Sequence, residues 1–241
     1  MSEITADLKE VGVHLGLSFK PSELEEIKNH VKSHLQEKAG EFSQYYSGPL
    51  EHYHLVNKVP HRDIFTMKNR VLDLAPYLRT TSVLKSLEDE FGSFKISDDY
   101  KIGRENVLMR FVRPHEDSDV GPFHCDRWFL EVMGFDEFKG FVPIKIWTAV
   151  CVSPGDSGLF LCPYSHKKKW EYEVIDVGMK KPTFKTGQEF TPVLFQSLPG
   201  DCAVFGYDFL HGGHKTYGDK TRVSLEFTIL IPEAVFAQKN S

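Results

Sequence analysis

The sequence predicts a mainly β protein, in which a jelly roll of two sheets carries helices packed on its outside. Short apolar runs, rich in β-branched and aromatic residues, fill the chain beyond about residue 105, and Gly, Pro and Asp separate them. The first hundred residues instead show apolar side chains at helical spacing. A chain of 241 residues can bury one large core. We therefore expect one domain, 1–241, with mostly helical support at 1–100 and a jelly-roll core at 105–232.

Two helices are predicted in the first hundred residues. The first starts with the pattern Pro21-Ser22-x-x-Glu25, which is typical of a capping box, and Gly40 is its expected end. Its apolar face is formed by Leu24, Ile27, Val31 and Leu35. The second helix is expected from Ser82 to Phe91, with Gly92 at its end. Both helices should pack on the outside of the β core.

The predicted strands are short, as a jelly roll requires. They are Asn106 to Val112, Ile144 to Val152, Gly158 to Cys162, Cys202 to Phe205 and Arg222 to Ile231.

Composition and charge narrow the range of partners and compartments. The net charge of −5 gives no indication of a nucleic-acid or anionic-membrane partner. The four cysteines, Cys125, Cys151, Cys162 and Cys202, form no C-x-x-C pair, so a reducing compartment without disulfides fits best. The N-terminus has no signal-peptide pattern, and no apolar run reaches membrane-spanning length. We expect a cytoplasmic protein, and the oligomeric state is left open.

An H-x-D…H set in the second half of the chain is the candidate metal centre. His124 and Asp126 lie in an apolar stretch, and His211 follows about a third of the chain later. If this stretch is a strand, residues i and i+2 share one face with Cα atoms roughly 6.6 Å apart, so both side chains can bind one ion. Two imidazoles and a carboxylate with open positions are the ligand set of non-heme Fe(II) oxygenases.

Competing histidines are less suitable. The triplets His61-Arg62-Asp63 and His115-Glu116-Asp117 also have the H-x-D pattern, but both follow a proline in polar surroundings, and the second opens an acidic run typical of a solvated loop. His214 competes with His211 as the distal ligand. Its position after Phe209-Leu210 and its spacing to Arg222 favour His211.

Beyond these ligands, the second half of the chain resembles the phytanoyl-CoA dioxygenase family of Fe(II)/2-oxoglutarate oxygenases. The matching segments, in the family's order, are Phe123-His124-Cys125-Asp126, Ile146–Val150, Ser157–Lys167, Pro199–Phe205, His211-Gly212-Gly213 and Arg222. Two positions depart from the pattern, since Ser157 stands where Asn is usual and Tyr164 stands where a second Gly is usual. The departures concern the shape of the loop rather than the ligands.

The resemblance implies a double-stranded β-helix, or cupin-like jelly roll, and Fe(II), 2-oxoglutarate and O2 as cofactor and co-substrates. His124, Asp126 and His211 would hold the iron. Arg222, eleven residues after His211, would bind the distal carboxylate of 2-oxoglutarate, because the planar guanidinium contacts both oxygens. Ser224 shares its strand face, and Trp147 matches a family position near the co-substrate; plain core is the alternative for the tryptophan.

The reaction that the resemblance implies is hydroxylation, or a related C–H oxidation, of a small organic molecule with release of succinate and CO2. Relatives with Gly in place of the aspartate act as halogenases, and Asp126 is present here. Two other classes stay open: a cupin-like metal enzyme that does not use 2-oxoglutarate, and an inactive jelly-roll binding module. If two of Arg110, Arg113 and Arg127 face the site, the substrate carries a negative group.

Overall fold

Long antiparallel strands form the centre of the molecule. The computed structural model describes residues 3–38, 48–55, 61–99, 101–133, 138–156, 158–176 and 180–238, and the structural statements below concern these residues. The strands are β1 (Val13–His14), β2 (Val71–Leu72), β3 (Lys95–Ile96), β4 (Val107–Val112), β5 (Phe141–Cys151), β6 (Leu159–Leu161), β7 (Tyr172–Asp176), β8 (Lys180–Phe184), β9 (Val193–Phe195), β10 (Cys202–Gly206), β11 (His211–Gly213) and β12 (Arg222–Pro232).

The α-helices surround this centre. They are α1 (Glu3–Glu10), α2 (Pro21–Lys38), α3 (His61–Ile64), α4 (Met67–Arg70), α5 (Ala75–Leu78), α6 (Ser82–Phe91), α7 (Asp126–Met133) and α8 (Glu233–Gln238). Short 3-10 helices lie at Leu50–Leu55, Asp117–Asp119 and Ser165–Lys167. The two helices that the sequence predicts correspond to α2 and α6, whereas the end expected at Gly40 lies outside the described residues.

Two sheets face each other, which confirms the predicted jelly roll. The main sheet has the order β1-β10-β5-β12-β4-β2, with β3 also paired to β12, and the smaller sheet has the order β11-β6-β9. Side chains from β5 and β10 of the main sheet pack between the sheets against β6 and β9. A separate hairpin, β7–β8, packs against α7. All strand pairs in the described residues are antiparallel.

Strand β12 shows how one sequence serves both faces of the main sheet. Its odd-numbered residues from Val223 to Ile231 are apolar and belong to the large core that the N-terminal helices cover. Its even-numbered residues Arg222, Ser224, Glu226 and Thr228 are polar and point to the opposite face, because side chains alternate along a strand. The face toward the smaller sheet therefore receives the polar groups from which a site can be built.

The N-terminal helices close the outer face of the main sheet, as predicted. The apolar stripe of α2 and the inward side of α6 share one continuous core with β4, β5 and β12. The first hundred residues also supply β1, β2 and β3 to the main sheet, which the helical pattern did not indicate. Strands of two residues are too short to leave an alternating pattern in the sequence.

The capping interaction of α2 differs from the predicted one. The helix begins at Pro21, so Lys20 is its N-cap residue, and Glu23 rather than Glu25 accepts the Lys20 N–H at 2.9 Å. Glu23 also accepts the N–H and the Oγ–H of Ser82 at the start of α6, each at 2.7 Å. One carboxylate therefore satisfies free donors at the beginnings of two helices. Pro21 at the first helical position explains the shift of the start by two residues, from Ser22 to Lys20 as the N-cap.

The four cysteines are buried and free, as expected from their scattered positions. Each lies in apolar surroundings, where a thiol behaves as a small hydrophobic side chain. Within the described residues, no helix has the length and apolar character needed to cross a membrane.

We expect Glu23→Gln to lower the free energy of unfolding by about 1 kcal/mol at pH 7, the usual effect of losing a helix cap. Partial burial raises the pKa of Glu23, but the hydrogen bonds from Ser82 and Lys20 outweigh it and lower the pKa below its ordinary value near 4.5. The contribution is therefore fully present above that value and is lost as pH falls through the lowered folded pKa. Urea unfolding at pH 7 and at stepwise lower pH measures both effects.

The matched control is Glu25→Gln, because Glu25 is exposed on the same helix and forms a solvent-exposed ion pair with Lys28 at 3.8 Å. This change should alter stability by less than about 0.5 kcal/mol, as for an exposed ion pair. An effect of Glu25→Gln equal to that of Glu23→Gln would restore the original capping-box assignment.

Candidate active site

The H-x-D segment lies at a strand-to-helix junction rather than within a strand. His124 forms an isolated antiparallel bridge with His211, and Asp126 is the first residue of α7. The expectation of one continuous strand through both residues is therefore wrong. Asp126 suits the first turn of a helix, where a carboxylate interacts favourably with the N–H groups, and the apolar residues after it recur at helical rather than alternating spacing.

The bridge still brings the three expected residues together. His124 N–H donates to the His211 carbonyl at 2.9 Å, and His211 N–H donates back to the His124 carbonyl at 3.0 Å. The two ring centroids are 4.3 Å apart, and Asp126 Oδ1 lies 3.6 Å from His124 Nε2. One ligand atom from each of the three residues lies within 4.8 Å of the other two. Among the described residues, this is the group with the arrangement of a metal centre.

Backbone carbonyls fix the tautomers of both imidazoles. His124 Nδ1 lies 2.8 Å from the carbonyl of Pro122, and His211 Nδ1 lies 3.1 Å from that of Phe209. A carbonyl only accepts, so each Nδ1 carries the hydrogen and each Nε2 keeps its lone pair. Such outer hydrogen bonds orient histidine ligands in metalloproteins. Burial, and then the neighbouring His124 ring, lowers the pKa of His211 to about 4, so it is neutral at pH 7.

Asp126 completes the set as a buried, ionised carboxylate. Burial alone would raise the pKa of Asp126, but the charge of Lys145 and the adjacent His124 outweigh it and hold the pKa well below its usual range. Its Oδ2 is buried and has no hydrogen-bond partner among the described residues. Two imidazoles whose Nδ1–H groups are held by backbone carbonyls, beside a carboxylate, fit a divalent iron ion in a three-ligand site.

Arg222 lies in the same pocket and is 1% exposed. Its Nη1 donates to the Gly158 carbonyl, closely, and to the His214 carbonyl at 3.4 Å. Its Nε and Nη2 have no partner within the described part of the chain. Burial, and then the charge of Arg110, lowers the pKa of Arg222 to about 9, so it stays charged at pH 7. A buried guanidinium with two unused donors requires an anionic acceptor.

Two further donors are unused in the interior around this pocket. Trp147 Nε1 and Ser224 Oγ are buried without a hydrogen-bond partner in the described structure. About 370 Å³ of space not filled by protein, open solvent at the mouth included, lies in this pocket. It is lined by Arg110, Gly121, His124, Lys145, Trp147, Leu159, Phe205, His211, Gly213, Arg222 and Glu226. The group of unused donors around Arg222 fits the distal carboxylate of 2-oxoglutarate.

Sequence reasoning missed two charged residues in this pocket. Lys145 and Glu226 line it, and each interrupts an apolar strand, in the segments Ile144-Lys145-Ile146 and Leu225-Glu226-Phe227. The available signal was a single charged residue between two apolar ones in a strand. Side chains two residues apart share a face of a strand, so Lys145 lies on the face of Trp147, and Glu226 on the face of Ser224. Glu226 accepts from Arg110 Nε at 3.1 Å.

The proposed cluster of inward-facing arginines is not present. Arg110 lines the pocket, but Arg113 donates from Nε to Asp119 at 2.8 Å, and Arg127 donates from Nη2 to Asp208 at 2.7 Å. Asp119 is itself buried. The expectation that the acidic run before Gly121 is a solvated loop is therefore wrong for this residue. One inward arginine, already paired with Glu226, gives no support to a negatively charged substrate.

The competing histidines lie elsewhere. His61 Nδ1 is 3.0 Å from the Tyr53 hydroxyl, and its ring stacks on Phe65 with centroids 4.8 Å apart. His115 lies beside Tyr217, and His214 packs against Phe160. None of these joins the three-residue group.

Tyr164, at the position where the family usually has Gly, adopts a backbone conformation that favours glycine. Its φ of 65° is in the left-handed region, which Gly enters without strain and other residues enter at a cost. His166 Nε2 lies 2.9 Å from the Lys9 carbonyl and connects this turn to the N-terminal helix. Ser157, the other departure from the family pattern, lies outside the described residues.

A comparison with protein-family sequence models identifies the family of this chain. The sequence model described as Phytanoyl-CoA dioxygenase (PhyH) matches residues 13–224. No curated protein sequence matches the chain significantly.

Solved structures share its fold. The apo form of the non-heme monooxygenase ThoJ has 12% identity and a TM-score of 0.62, covering 95% of this chain and 78% of that one. EctD from S. alaskensis, solved with 2-oxoglutarate and 5-hydroxyectoine, has 13% identity and a TM-score of 0.61, covering 95% and 75%. SnoK, a non-heme alpha ketoglutarate dependent carbocyclase from nogalamycin biosynthesis, has 11% and 0.54, covering 96% and 84%.

Proposed function

The chain belongs to the phytanoyl-CoA dioxygenase family, and we propose that it hydroxylates a C–H bond of a small organic metabolite, with release of succinate and CO2. Membership implies a non-heme oxygenase with Fe(II), 2-oxoglutarate and O2 as cofactor and co-substrates. The single observation that carries the proposal is the buried Arg222, which keeps unused donors and lines the same pocket as the two histidines of the His-Asp-His group.

Each residue of the site has a distinct proposed role. His124, Asp126 and His211 would hold Fe(II), which when bound supplies O2 activation coupled to decarboxylation of 2-oxoglutarate. Arg222 would bind the distal carboxylate, and Ser224 Oγ and Trp147 Nε1 are unused donors available to the co-substrate. The enclosing apolar side chains Leu159 and Phe205 limit the access of water, which strengthens these ionic contacts.

Two features of the site favour this reaction over the alternatives. Asp126 fills the position that a halide would need, which favours hydroxylation over halogenation. A buried carboxylate beside two imidazoles is costly without a cation, which argues against an inactive binding module. A cupin-like enzyme that does not use 2-oxoglutarate would have no need for a buried, unsatisfied guanidinium at position 222.

The pocket also bears on the charge of the substrate. Arg110 pairs with Glu226 at 3.1 Å and Lys145 pairs with Asp99 at 3.3 Å, so among the described lining residues Arg222 is the cation without a carboxylate partner, and it is assigned to 2-oxoglutarate. We therefore propose that the part of the substrate that enters the pocket is uncharged or internally balanced.

We expect His124→Ala, Asp126→Ala and His211→Ala each to abolish binding of Fe(II), or of Co(II) as its stable substitute. Losing a residue that only supports a ligand typically lowers metal affinity by about tenfold or more. Removing one of the three ligands itself should lower the affinity much further. Calorimetric titration of metal into the apo protein measures the loss.

The control is His214→Ala, which removes the competing histidine near the same pocket and leaves its backbone carbonyl in place. It should bind metal like the wild type. Full metal occupancy in His211→Ala would contradict the ligand assignment.

We expect Arg222→Ala to raise the concentration of 2-oxoglutarate required for turnover by about two orders of magnitude or more, because breaking a buried charge pair costs ~3–5 kcal/mol. Arg222→Lys keeps the charge but loses the fork and should be intermediate. Arg104→Ala is the control, since Arg104 pairs with Asp73 on the surface. An unchanged 2-oxoglutarate dependence in Arg222→Ala would favour the cupin-like alternative.

The reaction itself is tested by succinate release over a metabolite library, with Fe(II), 2-oxoglutarate and O2 supplied. We expect an authentic substrate to accelerate succinate formation and to gain one oxygen atom, as detected by mass spectrometry. A chlorinated product in the presence of chloride, or substrate oxidation that does not need 2-oxoglutarate, would overturn the proposed reaction.

A further inference from the structure

The two carboxylate oxygens of Asp126 have different neighbours. Oδ1 lies 3.6 Å from His124 Nε2 and is thus the oxygen beside a candidate ligand atom. Oδ2 lies 4.0 Å from Nζ of Lys145 and has no hydrogen-bond partner in the described structure. An ammonium at this distance attracts Oδ2 strongly because the surroundings are largely dry. The carboxylate is therefore fixed with one oxygen toward the imidazoles and the other toward a cation.

Lys145 is itself held by a second and closer carboxylate, that of Asp99. Its Nζ lies 3.3 Å from Asp99 Oδ2, which also accepts from Thr228 Oγ1 at 2.8 Å. The Tyr207 hydroxyl joins this chain at 2.7 Å from Thr228 Oγ1, and its ring centroid lies 5.3 Å from the ammonium. A lysine with 12% of its side chain exposed is rare unless such partners hold it. Neither the metal nor the co-substrate roles proposed above account for this lysine.

We propose that Lys145 is a positioning residue, which retains Oδ2 of Asp126 so that the metal receives a single carboxylate oxygen. The inference rests on the proposed function. A three-ligand site leaves three positions open, and 2-oxoglutarate and O2 together need all of them. A carboxylate that turned both oxygens to the metal would fill one of these positions. Lys145 keeps that position open for the co-substrate.

The geometry predicts opposite effects on metal and on co-substrate when Lys145 is removed. In Lys145→Met, Asp126 is released and a like charge near the metal disappears, so the affinity for Co(II) should be equal to or above that of the wild type. The affinity of the Co(II)-loaded protein for 2-oxoglutarate should fall about tenfold or more, because one position is now filled by Oδ2. Calorimetry measures both affinities, and the visible spectrum of bound Co(II) reports the change in coordination.

Lys145→Arg and Lys185→Met are the two controls. Lys145→Arg keeps a cationic donor beside Asp126 and should retain 2-oxoglutarate affinity to within about threefold, the range of a modest geometric change. Lys185→Met removes an exposed lysine that pairs with Glu171 at 2.7 Å. It should leave both affinities unchanged.

A second variant excludes a loss of folding as the cause. Lys145→Met leaves the half-buried Asp99 without its cation, whereas the double variant Lys145→Met/Asp99→Asn removes both charges of the pair. The double variant should show the same loss of 2-oxoglutarate affinity.

Wild-type 2-oxoglutarate affinity in both variants would overturn the inference, and so would folded variants that no longer bind Co(II). A wild-type protein that binds Co(II) but not 2-oxoglutarate would instead overturn the proposed function itself, independently of Lys145.

Discussion

The site depends on one antiparallel bridge, in which His124 and His211 exchange their backbone N–H···O hydrogen bonds. These residues are far apart in the chain, and only the pairing of the β11 segment with the segment before α7 places their imidazoles side by side. The bridge lies at the edge of the smaller sheet, where His211 begins β11. Both histidines line a pocket together with residues of the two sheets. Asp126 joins them because the chain turns into α7 immediately afterwards. A local change in backbone pairing would therefore separate all three candidate ligands at once.

The second constraint is the cost of placing charge between two sheets. Arg222, Lys145 and Asp126 all lie in an interior where an unpaired charge is strongly unfavourable. Lys145 and Glu226 form close ion pairs with Asp99 and Arg110, whereas Arg222 Nε and Nη2 and Asp126 Oδ2 have no hydrogen-bond partner among the described residues. Structural ion pairs would be satisfied within the protein. Arg222 lines the same pocket as His124 and His211, and Asp126 belongs to their group, which is the physical reason for proposing a cation and a dicarboxylate here.

The sequence predicted the fold class and the three ligand candidates, but not how the ligands are held. Alternation and apolar runs indicated the long strands, because the side chains on one face of each long strand are buried in the core. The expected proximity of His124 and Asp126 is observed, but the single strand expected to contain both is not. An H-x-D spacing allows the two side chains to be close both in a strand and across a strand-to-helix junction. The capping role of Glu23 and the pairing of Lys145 with Asp99 depend on contacts between distant segments. No local pattern encodes such contacts.

The division of labour along β12 connects stability with function. Its outward residues are apolar and join the core under the N-terminal helices, so they contribute to folding through burial. Its inward residues Arg222 and Ser224 leave buried donors unsatisfied, which lowers stability. Selection for stability alone would replace them with apolar residues, as it has at the positions between them. Their presence on one face only, next to the His-Asp-His group, is the pattern expected when stability is given up for binding.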